Sequence, residues 1–249
     1  MQRSNTYILI YTIILTVFCG VSLSLAKQVL KPAQDEQIEL ERKRNILSTF
    51  MTLEETSDVK AIYLARVKEY VINIDGEVQE GVTAASVSVE KQSKKPKEER
   101  LLPVYEIKKE GSETETEFYV VPTFGKGLWD VISSYLSIRA DGVTINGIVF
   151  NHKAETPGLG ARIKDEPEVY GRYAGKQLFN EQGEPVGVIM MKGEGNNYDD
   201  QKHKVDGMSG ATLTANGVNK MIVEYTEAYT KFLKSKTAGK ETNPSVITN

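Results

Sequence analysis

Asp206-Gly207-Met208-Ser209-Gly210-Ala211-Thr212 leads into a run in which Val218, Met221, Ile222, Tyr225, Tyr229, Phe232 and Leu233 fall at i, i+3, i+4, i+7, i+11, i+14 and i+15. Apolar residues at that spacing share one face of a helix, so a long C-terminal helix has a stripe to bury. The strands that can receive it lie upstream. Val104 to Lys108 and Phe118 to Val121 read as two strands joined by a polar, glycine-containing turn, and Val143 to Phe150 and Val186 to Met191 are further β-rich runs. Hairpin-like pairs with helices at both ends favour an α+β fold over the regular alternation of a doubly wound sheet. Before them, Asp58 to Tyr70 reads as a helix with Val59, Ile62, Tyr63 and Val67 on one side, followed by a strand at Val71 to Ile74 that closes at Asp75-Gly76. Lys91 to Arg100 is a charge run interrupted by Glu98 and Glu99, with Pro96 and no aromatic, which predicts a solvated loop.

From Tyr7 to Ala26 the chain carries no charge, enough for the roughly 20 residues with which a helix crosses a hydrocarbon core. The same stretch permits a cleaved secretory signal, since Arg3 supplies a positive start and Ser24-Leu25-Ala26 approximates a cleavage site; its apolar run is long for one. A lipidated Cys19 is disfavoured by the bulky Phe18 before it. Charge does not settle orientation, because Arg3 is answered by Lys27, Lys31, Arg42, Lys43 and Arg44. A short tail followed by one long domain resembles a signal-anchor, which puts the N-terminus inside and the domain outside the cytoplasm. The expected organisation is a cytoplasmic tail (1–6), a transmembrane helix (7–26), a juxtamembrane helix and linker (27–57), one extracytoplasmic domain (58–234) and a disordered tail (235–249).

The 249 residues are 40% apolar, with 31 Lys and Arg against 34 Asp and Glu for a net charge of −3. That balance gives no overall positive field for a nucleic acid. One cysteine and two histidines, Cys19, His152 and His203, leave no disulfide framework and no thiolate or multi-histidine metal site, so no metal is expected.

Three loops carry small, polar or aromatic residues suited to a ligand. The segment from Asp206 to Thr212 ends where the long helix begins, and unpaired N–H groups at a helix start, with the positive end of its dipole, stabilise a phosphate. Ordinary capping by Ser209, Thr212 or Thr214 explains the same residues. A serine nucleophile at Ser209 with His203 as base fits poorly, because the preceding Tyr198 to Asp206 is polar where an elbow needs a hydrophobic strand. In Glu155-Thr156-Pro157-Gly158-Leu159-Gly160, the glycines permit close approach to a flat ligand or unusual dihedrals, and Leu159 offers an apolar contact. Gly125-Lys126-Gly127-Leu128-Trp129 holds the only tryptophan, suited to stacking on an aromatic cofactor or to a core or membrane-interface position.

Together these segments resemble the FMN-binding domain family, in particular its membrane-anchored electron-carrying members. Asp206 to Thr212 is similar to that family's flavinylation motif, Asp-x-x-Ser/Thr-Gly-Ala-Ser/Thr, and Gly125 to Trp129, Glu155 to Gly160 and Leu213 to Val218 resemble it in the same order. The resemblance covers the last half of the chain and leaves Asn73 to Glu117 unmatched. It implies FMN joined by a phosphoester to Thr212, with Asp206 and Ser209 needed for a flavin transferase that takes the FMN moiety from FAD, and Gly210 and Ala211 completing the attachment loop. It further implies that Trp129 and Leu159 flank the flavin ring and that Glu155 and Thr156, with Gly158 and Gly160, line its pocket. The implied work is electron carriage in a sodium-translocating NADH:quinone reductase of the bacterial inner membrane. The electrons would pass from an iron–sulfur-bearing subunit to the flavin of the B subunit. An Rnf-type ferredoxin:NAD oxidoreductase offers a similar place, and a flavin-free membrane-anchored binding module, with Thr212 as a mere cap, is the reading from another class.

Overall fold

The computed structural model describes residues 4–241. The chain divides into two compact units between Arg44 and Asn45. Helix α1 (Asn5–Leu47) begins in the first unit and from Tyr7 to Ala26 is apolar on every side: Ile8, Ile10, Ile14, Phe18, Val21 and Leu25 are all more than half exposed. A helix of that length and composition can cross a membrane. The separate juxtamembrane helix expected after Pro32 is instead continuous with it. Residues 33–47 are rich in Glu, Gln, Leu and Arg, whose helix propensity carries the helix past a proline that has cost it one hydrogen bond. Glu39 adds support by pairing with Arg42 and Lys43, three and four residues on.

The second unit runs α2 (Val59–Arg66), β1 (Val67–Ile72), α3 (Val89–Ser93), β2 (Leu102–Lys108), β3 (Thr116–Lys126), β4 (Val131–Arg139), β5 (Ile145–His152), α4 (Arg162–Asp165), α5 (Pro167–Gly171), β6 (Ile189–Met190), β7 (Lys204–Val205) and α6 (Thr212–Glu241). Strands β1 to β5 form an antiparallel meander in sequence order, and β6 and β7 pair in parallel apart from it. The seven apolar positions of the C-terminal stripe are all buried, each contributing about 1.5–3 kcal/mol if fully removed from water. Helix α6 lies along β3, with Phe232 edge-on to Tyr119 (5.4 Å between ring centres) and the Tyr229 hydroxyl donating to the Pro103 carbonyl (2.7 Å). Gly125 makes close contact possible, since a Cβ there would sit 2.8 Å from Met221 Cβ. Alternation along β3 turns Phe118 to the opposite face, where it stacks on Phe50 at 5.7 Å, and Asn146 on β5 holds the Thr49 carbonyl. Burial on both faces is why Leu102 to Tyr105 and Tyr119 to Thr123 are buried without a break.

Several elements differ from the sequence reading. The helix expected over 58–70 stops at Arg66, because Val67 to Ile72 pair residue by residue with Ile107 to Leu102, and a ladder outweighs local periodicity. Strand β4 has no counterpart in that reading: Ser133, Ser134 and Ser137 mask its apolar positions, yet Ser134 is buried with its hydroxyl 2.6 Å from Thr123 Oγ1. Only Ile189 and Met190 of the 186–191 run are strand. The expected solvated loop at 91–100 ends in a buried Arg100 that donates to Glu224 of α6 (2.6 Å) and to the carbonyls of Ser93 and Lys95. Helix α6 continues past Lys234 to Glu241, into the stretch expected to be a disordered tail. Residues 1–3 and 242–249 of the two expected tails lie outside the described residues.

Candidate functional site

The three loops singled out in the sequence meet at one buried carboxylate. Glu155 follows β5 and is 4% exposed. Its Oε1 accepts the backbone N–H of Trp129 in the β3–β4 turn (3.0 Å), and its Oε2 accepts the Thr214 hydroxyl in the first turn of α6 (2.5 Å). Its own N–H donates to His152 Nδ1 (3.3 Å). Both oxygens sit so close to Gly127 and Gly160 that neither position has room for a Cβ. Gly160 is therefore required by packing against Glu155 and Thr214, where the sequence suggested close approach to a ligand. Gly158, with φ of +72° and open space around it, supplies the unusual dihedral.

Around this tie the side chains turn outward. Trp129 is 66% exposed, which excludes the core position, and its indole N–H donates to Thr156 Oγ1 (3.1 Å). Leu128, Leu159 and Leu213 are exposed as well. Gly210, at φ +75°, lies against Leu159, whose Cδ2 would be 2.8 Å from any Cβ there. The glycine thus brings the 206–212 loop against the 155–160 loop.

Thr212 is the exposed first residue of α6, and Ala211 beside it is buried. Among the described residues, neither Thr212 nor Ser209 uses its hydroxyl to cap the helix, and Thr214 spends its own on Glu155. The plain capping alternative therefore has no bond behind it, and the first-turn N–H groups keep no intrahelical partner.

Asp206 is engaged with the 193–197 loop. Its carboxylate accepts the Gly195 N–H (2.7 Å) and the Asn196 side-chain amide (3.3 Å). Burial opposes its ionisation, but these bonds outweigh it and hold the carboxyl below its ordinary range. Ser209 is exposed, and its N–H donates to Glu194 Oε2 (3.0 Å). Two arginines converge on Glu194. Arg162 is bidentate (2.6 and 3.0 Å), and Arg172 reaches it at 3.5 Å while donating to the carbonyls of Gly207 (2.6 Å) and Asp206 (3.2 Å). Arg162 and the Ser209 N–H draw the Glu194 carboxyl down to about 2. The sequence reading missed Glu194, Arg162 and Arg172, which belong to no motif. It also missed Gly217, where α6 lies directly on the Lys126 carbonyl.

The fold contains an FMN-binding domain: the model of that family matches residues 127–227, which include the candidate residues from Trp129 to Thr212. The chain is 32% identical over 234 residues to the C subunit of the Na(+)-translocating NADH-quinone reductase of Pasteurella multocida, covering 85% of each chain. It is 31% identical to that of Haemophilus ducreyi, covering 83% of this chain and 84% of that one. The crystal structure of the same subunit from Parabacteroides distasonis superposes with a TM-score of 0.71 at 31% identity, covering 82% of this chain and 96% of that one. The chain belongs to the family of C subunits of the Na(+)-translocating NADH-quinone reductases. It is thus a subunit of an oxidoreductase complex and carries an FMN-binding domain, and α1 together with this family supports membrane anchoring. The names of these relatives give no support to the Rnf-type alternative.

Proposed function

We propose that this subunit carries FMN in phosphoester linkage to Thr212 and relays electrons within its complex. The observation that carries the reading is an exposed hydroxyl, engaged in no capping bond, on the first residue of α6, ending a loop of flavinylation-motif pattern. The residues present fit the group. First-turn N–H groups and the positive end of the helix dipole stabilise the charge that a phosphodiester retains. Trp129 and Leu159 offer exposed apolar surface for a ring system. Bound FMN supplies the redox chemistry, and the chain supplies position and electrostatics.

Each supporting residue then has a task. Thr156 holds the indole of Trp129 through its N–H, and Glu155 fixes the backbone of the same turn to the first turn of α6. The distance between stacking residue and attachment point is thereby set by the protein. Attachment forms a bond between Thr212 Oγ and phosphorus, breaks the phosphoanhydride of FAD, releases AMP and gives up the hydroxyl proton. A flavin transferase performs it. The donor in the relay is an iron–sulfur-bearing subunit and the acceptor the B subunit, with α1 in the lipid of the inner membrane and the domain on the extracytoplasmic side.

The test is in-gel flavin fluorescence of the denatured full-length chain, produced together with a flavin transferase, followed by mass spectrometry of the Thr212 peptide. A fluorescent band with added FMN mass at Thr212 is expected. Thr212→Ala should lose it while unfolding at the same temperature. A dark wild-type band, or a fluorescent mutant one, overturns the assignment.

A further inference from the structure

The half of the motif that precedes Thr212 is held by a reciprocal clamp. Glu194 reaches across to accept the Ser209 N–H, and Asp206 reaches back to accept the Gly195 N–H, so the 193–197 and 206–209 loops are bonded to each other in both directions. Gly207 closes the contact, because the carbonyls of Met191 and Gly193 occupy the space a Cβ would need. Arg172 grips the carbonyls of Asp206 and Gly207, and Arg162 holds Glu194 with two parallel bonds. Arg162 itself begins α4, and its backbone N–H donates to the Leu159 carbonyl (3.3 Å). One ion-pair network therefore joins the attachment loop to the loop bearing Leu159.

Resting on the Thr212 reading above, we infer that Glu194, locked by Arg162, is a positioning residue for flavin attachment: it fixes the Ser209 backbone and so presents the Thr212 hydroxyl at one angle. Asp206 contributes by the same route, through the 193–197 loop. The Glu194 side chain is 26% exposed and that of Arg162 17%, so the pair is sheltered and bidentate, unlike the exposed single pairs that contribute little. Glu194 is no general base for the reaction. Its acidity is far too high to take a hydroxyl proton near neutrality, and one of its oxygens is already spent on Ser209.

The experiment measures covalent flavin incorporation into the full-length chain by a purified flavin transferase with FAD, varying the concentration of acceptor protein. Glu194→Ala should lower kcat by about tenfold or more, the scale of one lost charge-assisted hydrogen bond, with KM for the acceptor little changed. Glu194→Gln, which retains an oxygen for the Ser209 N–H, should recover much of the rate. Arg162→Ala should reproduce the loss, and the double variant should be no slower than the slower single one, as groups acting as a unit require. A wild-type rate in Glu194→Ala refutes the positioning role. A rise in KM alone does so too, by making Glu194 a contact of the transferase. So do fully multiplicative losses in the double variant. Absence of covalent flavin from the wild-type chain refutes the Thr212 reading instead, and the two failures are therefore distinguishable.

Discussion

Replacing Glu155 by alanine should unfold the domain several degrees earlier and release the turn that carries Trp129. The variant leaves two donors without partners, the Trp129 N–H and the Thr214 hydroxyl, at a position only 4% exposed. Each hydrogen bond to a charged acceptor is worth about 1.5–3 kcal/mol, offset by the desolvation of the carboxylate itself. A net loss of roughly 2–4 kcal/mol follows, which for a domain of this size is a drop of roughly 5–15 °C in Tm. Glu155→Gln keeps one acceptor oxygen and offers an amide N–H₂ where the other donor points, so about half of that loss is expected. Circular dichroism of the full-length chain in detergent gives Tm, and the emission of Trp129, the only tryptophan, reports the turn directly. An unchanged Tm with unchanged Trp129 emission in Glu155→Ala would refute the view that this carboxylate ties the three loops.

Trp129→Ala should cost less than about 0.5 kcal/mol, as a well-exposed side chain does, while, under the proposed linkage, raising the emission of the covalent flavin, because stacking on the indole would quench it; an equally dim flavin in the variant removes Trp129 from the site. Gly217→Ala should lower Tm although alanine favours helix, because its Cβ meets the Lys126 carbonyl and the Gly127 Cα, 3.3 Å away, and backbone does not yield cheaply. Asn216→Ala, at an exposed neighbour, is the control and should raise it slightly; matching gains at the two positions would disprove the close approach. Glu194 has its carboxyl lowered from 4.5 to about 2 in the fold, so its contribution to stability is complete above pH 4.5 and is lost as pH falls from there toward 2. The Tm gap between wild type and Glu194→Gln should therefore narrow only below pH 4.5; a gap that stays constant down to pH 3 contradicts the ion pair.

What the sequence reveals of this protein depends on whether a constraint is local. The α6 stripe is legible because one face of one helix repeats over many residues, and the β2–β3 hairpin because its turn, with Gly111 at φ +77°, lies between two apolar runs. The three loops are legible because glycine, proline and tryptophan are rare enough to stand out. Strand β4 escapes because its serines look polar in sequence, yet Ser134 is satisfied inside the sheet by Thr123 of β3, and a pair eleven residues apart leaves no pattern. Arg100 escapes for a similar reason: its partner Glu224 lies on α6, far along the chain. Within the site the same division holds. The Asp206 to Thr212 loop is contiguous and readable, whereas the clamp on it draws on Arg162, Arg172 and Glu194, three charged residues that look like ordinary surface until the fold gathers them. Gly160 stands out as a glycine, but its reason, the carboxylate of Glu155 and the hydroxyl of Thr214, is again tertiary.

The openness of the site bears on why a covalent bond would be used at all. Noncovalent pockets retain a ligand by burying most of its surface, roughly 70–90% for a molecule of drug size. Trp129, Leu159 and Leu213 are instead left substantially in solvent, and the helix end at Thr212 is exposed with them. Such a face is poorly shaped to hold a flavin against dissociation, yet it is well shaped to bring one close to a partner's redox centre. Under the proposed linkage the two demands separate. The phosphoester keeps the ring at the site at an effective concentration that no rinse or dilution lowers, which frees the surrounding residues from supplying affinity. They need only set direction, and that task falls to short, rigid ties: Glu155 between turn and helix, Thr156 on the indole, Gly210 under Leu159. A wild-type domain that bound free FMN tightly without the linkage would contradict this division of labour, because its affinity would then have to come from burial that these exposed side chains do not provide.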